Sequence, residues 1–379
     1  MRAVLVGIWN RDTTKEEAKE SLKELKRLVE AVGGKSIGYV LQNRNRPDVR
    51  YFIGEGKARE LREVLKGTGA DTVVFDDSLT PSQVRNLEKL TGRKVLDRTD
   101  LVIEIFSRRA KSKEAKLQVE LARLTHELPR LQGRGKSMSR LGGGVGTRGP
   151  GEQETEIRRR LIKKRIYQVR EELEEVKKMR RHQRKRRERS DSGESILKVA
   201  LVGYTNAGKS TLLRVLTGRE SFSADMLFAT LDTKTSSRFL SSDLKVLFTD
   251  TVGFIKKLPT ELIESFKATL EEVTEADLIL HVVDVSDDRW LDYIHTVRDI
   301  LKELSADGKP VIYVLNKADR IVDSEEEMRH LPHGAFVEGA SVVVSAERRW
   351  GIDELINKIR LFGERMLAVG SGAEGSTQT

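Results

Sequence analysis

The residues whose chemistry is easiest to read form one run, Gly203-Tyr204-Thr205-Asn206-Ala207-Gly208-Lys209-Ser210, followed by Thr211. Two glycines flank four residues, and a lysine and a hydroxyl come next, the spacing of a loop that cradles a polyphosphate. The glycines let successive backbone N–H groups turn inward around phosphate oxygens. A helix beginning near Lys209 would aim its positive dipole end at the same charge. In such a loop Lys209 reaches the terminal phosphates and the Ser210 hydroxyl holds Mg2+.

Three further segments complete a nucleotide site. Asp250-Thr251-Val252-Gly253 closes the apolar strand LKVLFT, placing Asp250 near Mg2+ through a coordinated water and the Gly253 N–H near a γ-phosphate. Asn316-Lys317-Ala318-Asp319 closes the strand VIYVL and decides the base. A carboxylate accepts from both guanine N1–H and the exocyclic amine, a donor pair that adenine lacks. Ser345-Ala346-Glu347 follows VVV and would set a backbone N–H against guanine O6. Each pattern is weak alone; in this order, each after a strand, they specify a GTP/GDP site. One position limits the chemistry. Phe254 follows Gly253, where many regulatory GTPases place a glutamine that orients the attacking water. An apolar ring cannot do this, so intrinsic hydrolysis is expected to be slow, and the sequence names no catalytic base.

The elements that must hold these residues are those of a doubly wound, mostly parallel α/β domain over residues 198–366. Apolar strand segments recur at Leu244 to Phe248, Leu278 to Val285, Val311 to Leu315 and Ser341 to Val344. The ligand is expected at the C-terminal ends of the strands. Residues 1–110 read as a small α/β domain with a parallel sheet: strand Ala3 to Trp9, a helix capped by Thr13 or Thr14, strand Ser36 to Leu41, a helix through Leu65, strand Thr72 to Asp76, and a helix from Pro81 to about Leu90. Gly54-Glu55-Gly56-Lys57 could hold a phosphate, but two glycines fit a tight turn into a helix at least as well.

Between these domains the period changes. Leu117, Leu121, Leu124, Leu128 and Leu131, then Ile162, Ile166, Val169, Leu173 and Val176, recur at steps of three and four. Residues 111–189 are therefore expected to form an antiparallel helical hairpin around a glycine-rich loop at 133–151. Residues 190–197 read as a polar linker, and residues 367–379 as a disordered tail.

The 379 residues carry a net charge of +10 and no cysteine. Disulfides, thiolate zinc sites and a cysteine nucleophile are excluded. No apolar run is long enough to span a membrane, and a cytoplasmic protein without integral membrane association is expected. The positive charge is local: residues 130–190 hold 21 Lys or Arg against 8 Asp or Glu. Arg148, Arg158-Arg159-Arg160, Lys163-Lys164 and Arg184-Lys185-Arg186-Arg187 are the candidate contacts to RNA phosphates, with Tyr167 the only nearby stacking ring. A solvated helix face is the plainer reading of such a run.

FATLD (Phe228 to Asp232), DTVGFIKKLP (Asp250 to Pro259) and, above all, GGGVGTRGPGEQETEIRRRLI (Gly142 to Ile162) resemble the HflX family of ribosome-associated GTPases. The resemblance runs from YFIGEGK, Tyr51 to Lys57, to about residue 365. It implies that Phe228, Ala229, Thr230, Leu231 and Asp232 join the GTP site and that Thr230 reaches Mg2+; from the residues alone, Thr233 and Thr235 are equally eligible. It also implies docking of the N-terminal domain and hairpin on the large (50S) ribosomal subunit and its rRNA, helping to dissociate stalled or idle ribosomes. DNA is not an expected partner, and a monomer is expected. The alternatives are a GTPase adaptor acting on a protein or membrane surface, and an ATP- or GTP-dependent RNA remodeller.

Overall fold

Alternating apolar strands and amphipathic helices in the first hundred residues assemble a four-stranded parallel sheet, as that alternation predicts. In chain order the elements are β1 (Arg2–Trp9), α1 (Lys15–Ala31), β2 (Lys35–Asn43), α2 (Glu55–Thr68), β3 (Thr72–Phe75), α3 (Pro81–Thr91) and β4 (Lys94–Asp97). The strand order is β2-β1-β3-β4, with every pair parallel. Val4, Val6, Leu61, Val73, Phe75 and Leu87 lie in its buried core. Local signals set the helix starts. Thr14 and Thr80 each accept from the N–H three residues on, while Glu17 and Gln83 reach back to the cap N–H.

The computed structural model describes residues 1–131, 150–190, 195–218, 228, 231, 234–257, 259, 262, 270–331 and 339–373. Contacts group the chain into two units: Met1–Val176 with Lys257–Ser265, and Lys177–Lys256 with Phe266–Thr379. The first unit continues through α4 (Arg98–Arg109) and α5 (Lys113–Arg130) into α6 (Pro150–Ser190). In the hairpin, Leu117 and Leu121 pack on Val169 and Leu173. Arg165 meets Glu120 at 2.6 Å and Arg158 meets Glu127 at 2.7 Å. Partner numbers rise on one helix as they fall on the other, so α5 and α6 run antiparallel. Most of the glycine-rich loop, residues 132–149, lies outside the described residues.

The second unit holds a six-stranded sheet. Its strands are β5 (Ser195–Gly203), β6 (Lys234–Phe239), β7 (Leu244–Asp250), β8 (Leu278–Asp284), β9 (Val311–Asn316) and β10 (Ala340–Val343). The order β10-β9-β8-β5-β7-β6 is parallel except for β6, which pairs antiparallel with β7. Among the described residues its named helices are α7 (Lys209–Thr217), α8 (Trp290–Glu303), α9 (Glu325–Arg329) and α10 (Ile352–Ala373). Two expected boundaries move. β5 begins within the expected linker, because Ser195 to Leu197 pair with Leu244 to Val246. The last helix runs to Ala373, past residue 367, where the tail was expected to start.

A buried charge cluster fixes the first unit. Arg98 is 1% exposed; its guanidinium donates to Asp76 Oδ1 at 2.6 Å and to Glu24 Oε2 at 3.0 Å. Lys257, from the segment that groups with this unit, donates to Asp76 Oδ2 at 2.6 Å and to Asp77. Burial alone would raise the Asp76 pKa, but the charges of Arg98 and Lys257 and their hydrogen bonds hold it at about 2. A depressed carboxylate contributes stability above its unfolded pKa of about 4 and loses that contribution as pH falls toward 2. Asp76→Asn is therefore expected to destabilise the first unit by about 3 to 5 kcal/mol at pH 7. The difference from wild type should shrink between pH 4 and pH 2. Urea unfolding followed by hydrogen exchange in β1 and β3 measures both, and an unaltered midpoint at pH 7 would refute the assignment.

Candidate nucleotide-binding site

β5 must end on glycine. At Gly203 (φ 154°) an added β-carbon would lie 2.2 Å from the Val282 carbonyl oxygen on β8. The chain then loops to α7 through Asn206, which is left-handed at φ 64°, and Gly208, at φ 94°. A β-carbon on Gly208 would lie 2.3 Å from Asn316 Nδ2. Lys209 opens the helix with its side chain folded back, Nζ donating to the carbonyl oxygens of Gly203 and Tyr204 at 2.9 Å each. Burial lowers its pKa to about 8; the Asp250 carboxylate opposes this shift and the Lys317 ammonium adds to it.

The structure brings Ser210 and Asp250 together, with Ser210 Oγ donating to Asp250 Oδ2 at 2.6 Å. Two hard oxygen donors from separate elements, one a fully buried carboxylate, form a donor set that fits Mg2+. Thr251 Oγ1 donates to the Leu201 carbonyl at 2.8 Å, fastening the end of β7 to β5. A β-carbon on Gly253 would sit 3.0 Å from Thr205 Cγ2 and 3.2 Å from Lys209 Nζ, so this glycine lies directly against the lysine. Phe254 is 1% exposed. Its N–H donates to the Gly203 carbonyl at 3.1 Å, and its own carbonyl accepts from the Thr205 N–H at 2.8 Å.

On the base side, Asn316 Nδ2 donates to the Ala207 carbonyl at 2.8 Å, and Asn316 Oδ1 accepts from the Ala346 N–H at 3.0 Å. Lys317 is left-handed at φ 68° and pairs with Asp284 at 2.7 Å. The Asp319 carboxylate accepts from the buried Ser345 hydroxyl at 2.5 Å, while Glu347 is exposed. The phosphate loop, Asp250–Gly253, Asn316–Asp319 and Ser345–Glu347 thus converge at the C-terminal ends of β5, β7, β9 and β10. Of the FATLD residues, Phe228 and Leu231 are each 2% exposed. Ala229, Thr230 and Asp232 lie outside the described residues, as does Thr233; Thr235 is on β6.

Two contributors escaped the sequence reading. Asp284 ends β8 as Asp250 ends β7, an acidic residue closing an apolar strand, and that repetition was the available signal. Tyr293 on α8 stacks on Tyr204 with ring centroids 4.1 Å apart, and nothing in the local sequence marks the pairing.

On the hairpin, Arg158, Arg159, Arg160, Lys163 and Lys164 are exposed along α6. Arg184 to Arg187 lie on the same helix, but their side chains are outside the described residues, as is Arg148. Asp97, Asp100 and His126 bring three potential metal-ligand atoms within 4.8 Å of one another. Arg130 already answers both carboxylates, at 2.7 and 2.8 Å, so the cluster is a charge-paired fastening of α5 to the start of α4. Among the described residues no helix is long and apolar enough to cross a membrane.

Three family descriptions match in tandem: "GTP-binding GTPase N-terminal" over residues 19–107, "GTP-binding GTPase Middle Region" over 109–187, and "50S ribosome-binding GTPase" over 198–317. The chain is 45% identical to GTPase HflX of Caldanaerobacter subterraneus over 365 residues, 96% of this chain and 81% of that protein. It is 42% identical to GTPase HflX of Escherichia coli K12 over 366 residues, 96% of this chain and 83% of that one. A GTP-binding protein from the archaeon Sulfolobus solfataricus, solved in complex with GDP, aligns with 97% of this chain and 100% of its own at 25% identity and a TM-score of 0.45. Identity of this order along nearly the whole length, over a fold that ends in a guanine-type phosphate and base site, places the chain in the HflX family of GTPases.

Proposed function

We propose that this protein is a GTP-gated factor of the large ribosomal subunit that helps to dissociate stalled or idle ribosomes. The observation that carries the reading is the convergence of four nucleotide segments at one edge of the β5–β10 sheet, in a chain whose α6 presents exposed basic residues. In this reading the N–H groups from Tyr204 to Thr211 wrap the phosphates and Lys209 turns from its carbonyl partners toward them. Ser210 and Thr230 would hold Mg2+ directly, and Asp250 would hold it through a water. The ion, when bound, neutralises charge on the β- and γ-phosphates. Gly253 offers its N–H to the γ-phosphate. Asp319 selects guanine, with its carboxylate kept in place by Ser345, and Asn316, Lys317 and the Ser345–Glu347 loop frame the ring.

GTP binding orders Thr230 and Gly253 around the γ-phosphate and so reshapes the surface that meets RNA. Arg158, Arg159, Arg160, Lys163, Lys164 and Arg184 to Arg187, with Arg148, supply phosphate contacts, whose strength falls steeply with salt. Hydrolysis is slow in isolation, because Phe254 is a buried ring without a polar atom where a water-orienting side chain would stand. Binding, more than turnover, does the mechanical work.

Three outcomes are expected. In sucrose gradients at moderate salt, the chain should co-sediment with large subunits in a nonhydrolysable GTP analogue and less so in GDP; failure in both would favour an adaptor acting away from the ribosome. Single-turnover GTP hydrolysis should be slow alone and accelerate with large subunits, so a fast partner-independent rate would count against the assignment to Phe254. Asp319→Asn should lower GTP affinity about a hundredfold or more, the worth of two charge-assisted hydrogen bonds. It should shift preference toward xanthine nucleotides, whose edge offers an acceptor where guanine has its amine. Titration of the variant with both nucleotides reads this directly.

A further inference from the structure

Tyr204 is the second residue of the phosphate loop, where the backbone is what phosphate binding requires. Its side chain is nonetheless 7% exposed and engaged on two sides. The ring stacks on Tyr293, with planes 17° apart. The hydroxyl oxygen accepts from the backbone N–H of Lys256 at 2.8 Å. Tyr293 is in turn anchored: its hydroxyl donates to Asp287 Oδ2 at 3.1 Å and accepts from Arg289 Nη2 at 2.6 Å. Together with the two backbone bonds between Phe254 and the loop, three hydrogen bonds join Gly203–Thr205 to Phe254–Lys256. One of the three comes from a side chain.

This pairing competes with a γ-phosphate. The Thr205 N–H, a potential phosphate donor, is held by the Phe254 carbonyl. Two of the Lys209 protons are directed at the Gly203 and Tyr204 carbonyls, and Gly253 lies against the same ammonium. Lys209 is called on by the β-phosphate of either nucleotide, but a γ-phosphate also requires the Gly253 N–H to turn toward it. A diphosphate lacks the group that makes this second demand. A ligand shifts such an equilibrium only by its differential affinity for the two arrangements.

We infer that Tyr204 sets the balance between GTP and GDP: its hydroxyl holds the Gly253–Lys256 segment in the arrangement suited to a nucleotide without a γ-phosphate, and GTP must break that bond. The inference rests on the guanine-nucleotide reading above and adds to it the residue that tunes the ratio. Tyr204 is a positioning residue here, acting through the backbone of the segment and not on the reacting atoms.

Tyr204→Phe removes the hydroxyl and keeps the ring stacked on Tyr293. Calorimetry on the full chain with Mg2+ would compare GDP with a nonhydrolysable GTP analogue. The affinity for the analogue relative to GDP is expected to rise about two- to tenfold, the equivalent of one hydrogen bond. A change common to both nucleotides, as from general loosening of the loop, cancels in that ratio. In the GDP form, backbone amides at residues 254–256 should exchange faster in the variant by a similar factor. An unchanged ratio, a ratio moved toward GDP, or unchanged exchange at these amides would overturn the inference while leaving the nucleotide reading intact. A wild-type chain that bound neither nucleotide would overturn both.

Discussion

The nucleotide site depends on one buried amide. Asn316 is 2% exposed and uses donor and acceptor at once, reaching the Ala207 carbonyl in the phosphate loop and the Ala346 N–H beyond β10. An amide side chain offers a donor and an acceptor on separate atoms, so it can do both from one position. In a low-dielectric setting a fully satisfied bridge of this kind rigidifies what it joins, whereas a half-satisfied one would be costly. The consequence is a cross-tie between the part of the site that would hold phosphate and the part that would read the base. It also explains a residue far away in sequence: Gly208 cannot carry a β-carbon because Asn316 Nδ2 occupies that space. The glycine of one motif and the asparagine of another are two sides of a single steric and polar constraint.

The first unit uses charge for a similar purpose. Parallel strands β3 and β4 lead into buried carboxylates, Asp76 and Asp97. Each is answered by an arginine, Asp76 by Arg98 at the start of α4 and Asp97 by Arg130 at the end of α5. Burial and the neighbouring Asp100 charge push the Asp97 carboxyl up, and Arg130 and His126 oppose them. Buried ion pairs add little net stability over apolar packing, but losing one partner is expensive. Their effect is to fix where helices meet the sheet: an α4 shifted by one residue would leave Arg98 buried without Asp76 and Glu24.

Much of this was legible in the sequence because it rests on period and punctuation. The parallel strands of the nucleotide domain are apolar runs, and Thr14 and Pro81 mark helix starts. The hairpin seam at Leu117, Leu121, Val169 and Leu173 is visible as spacing alone. What stayed hidden had no local signature. β4 is four residues long, and α4 buries Leu101, Val102, Ile103, Ile105 and Phe106, too many around its circumference to show a helical stripe. β6, with two lysine-or-arginine and three hydroxyl-bearing residues among its six, is an edge strand that alternates no apolar face. In the site, the residue types at the strand ends could be read, but their mutual contacts could not. The Tyr204–Tyr293 stack and the Lys317–Asp284 pair join residues far apart in the chain, and only the closed sheet brings them within reach.

Phe254 shows how packing and chemistry oppose each other at one position. Its ring is buried and its backbone is bonded on both sides to the phosphate loop, so the segment behaves locally as an added strand, paired parallel with Tyr204. That arrangement is ended by Lys257, a non-glycine residue at φ 55°. A left-handed residue of this type costs about 1 to 3 kcal/mol and persists where its surroundings over-determine it. Asn206 and Lys317 are left-handed as well, each within a segment of the site. A ring that anchors this backbone cannot also offer water a hydrogen bond. The packing has thus given this position to a side chain without a polar atom.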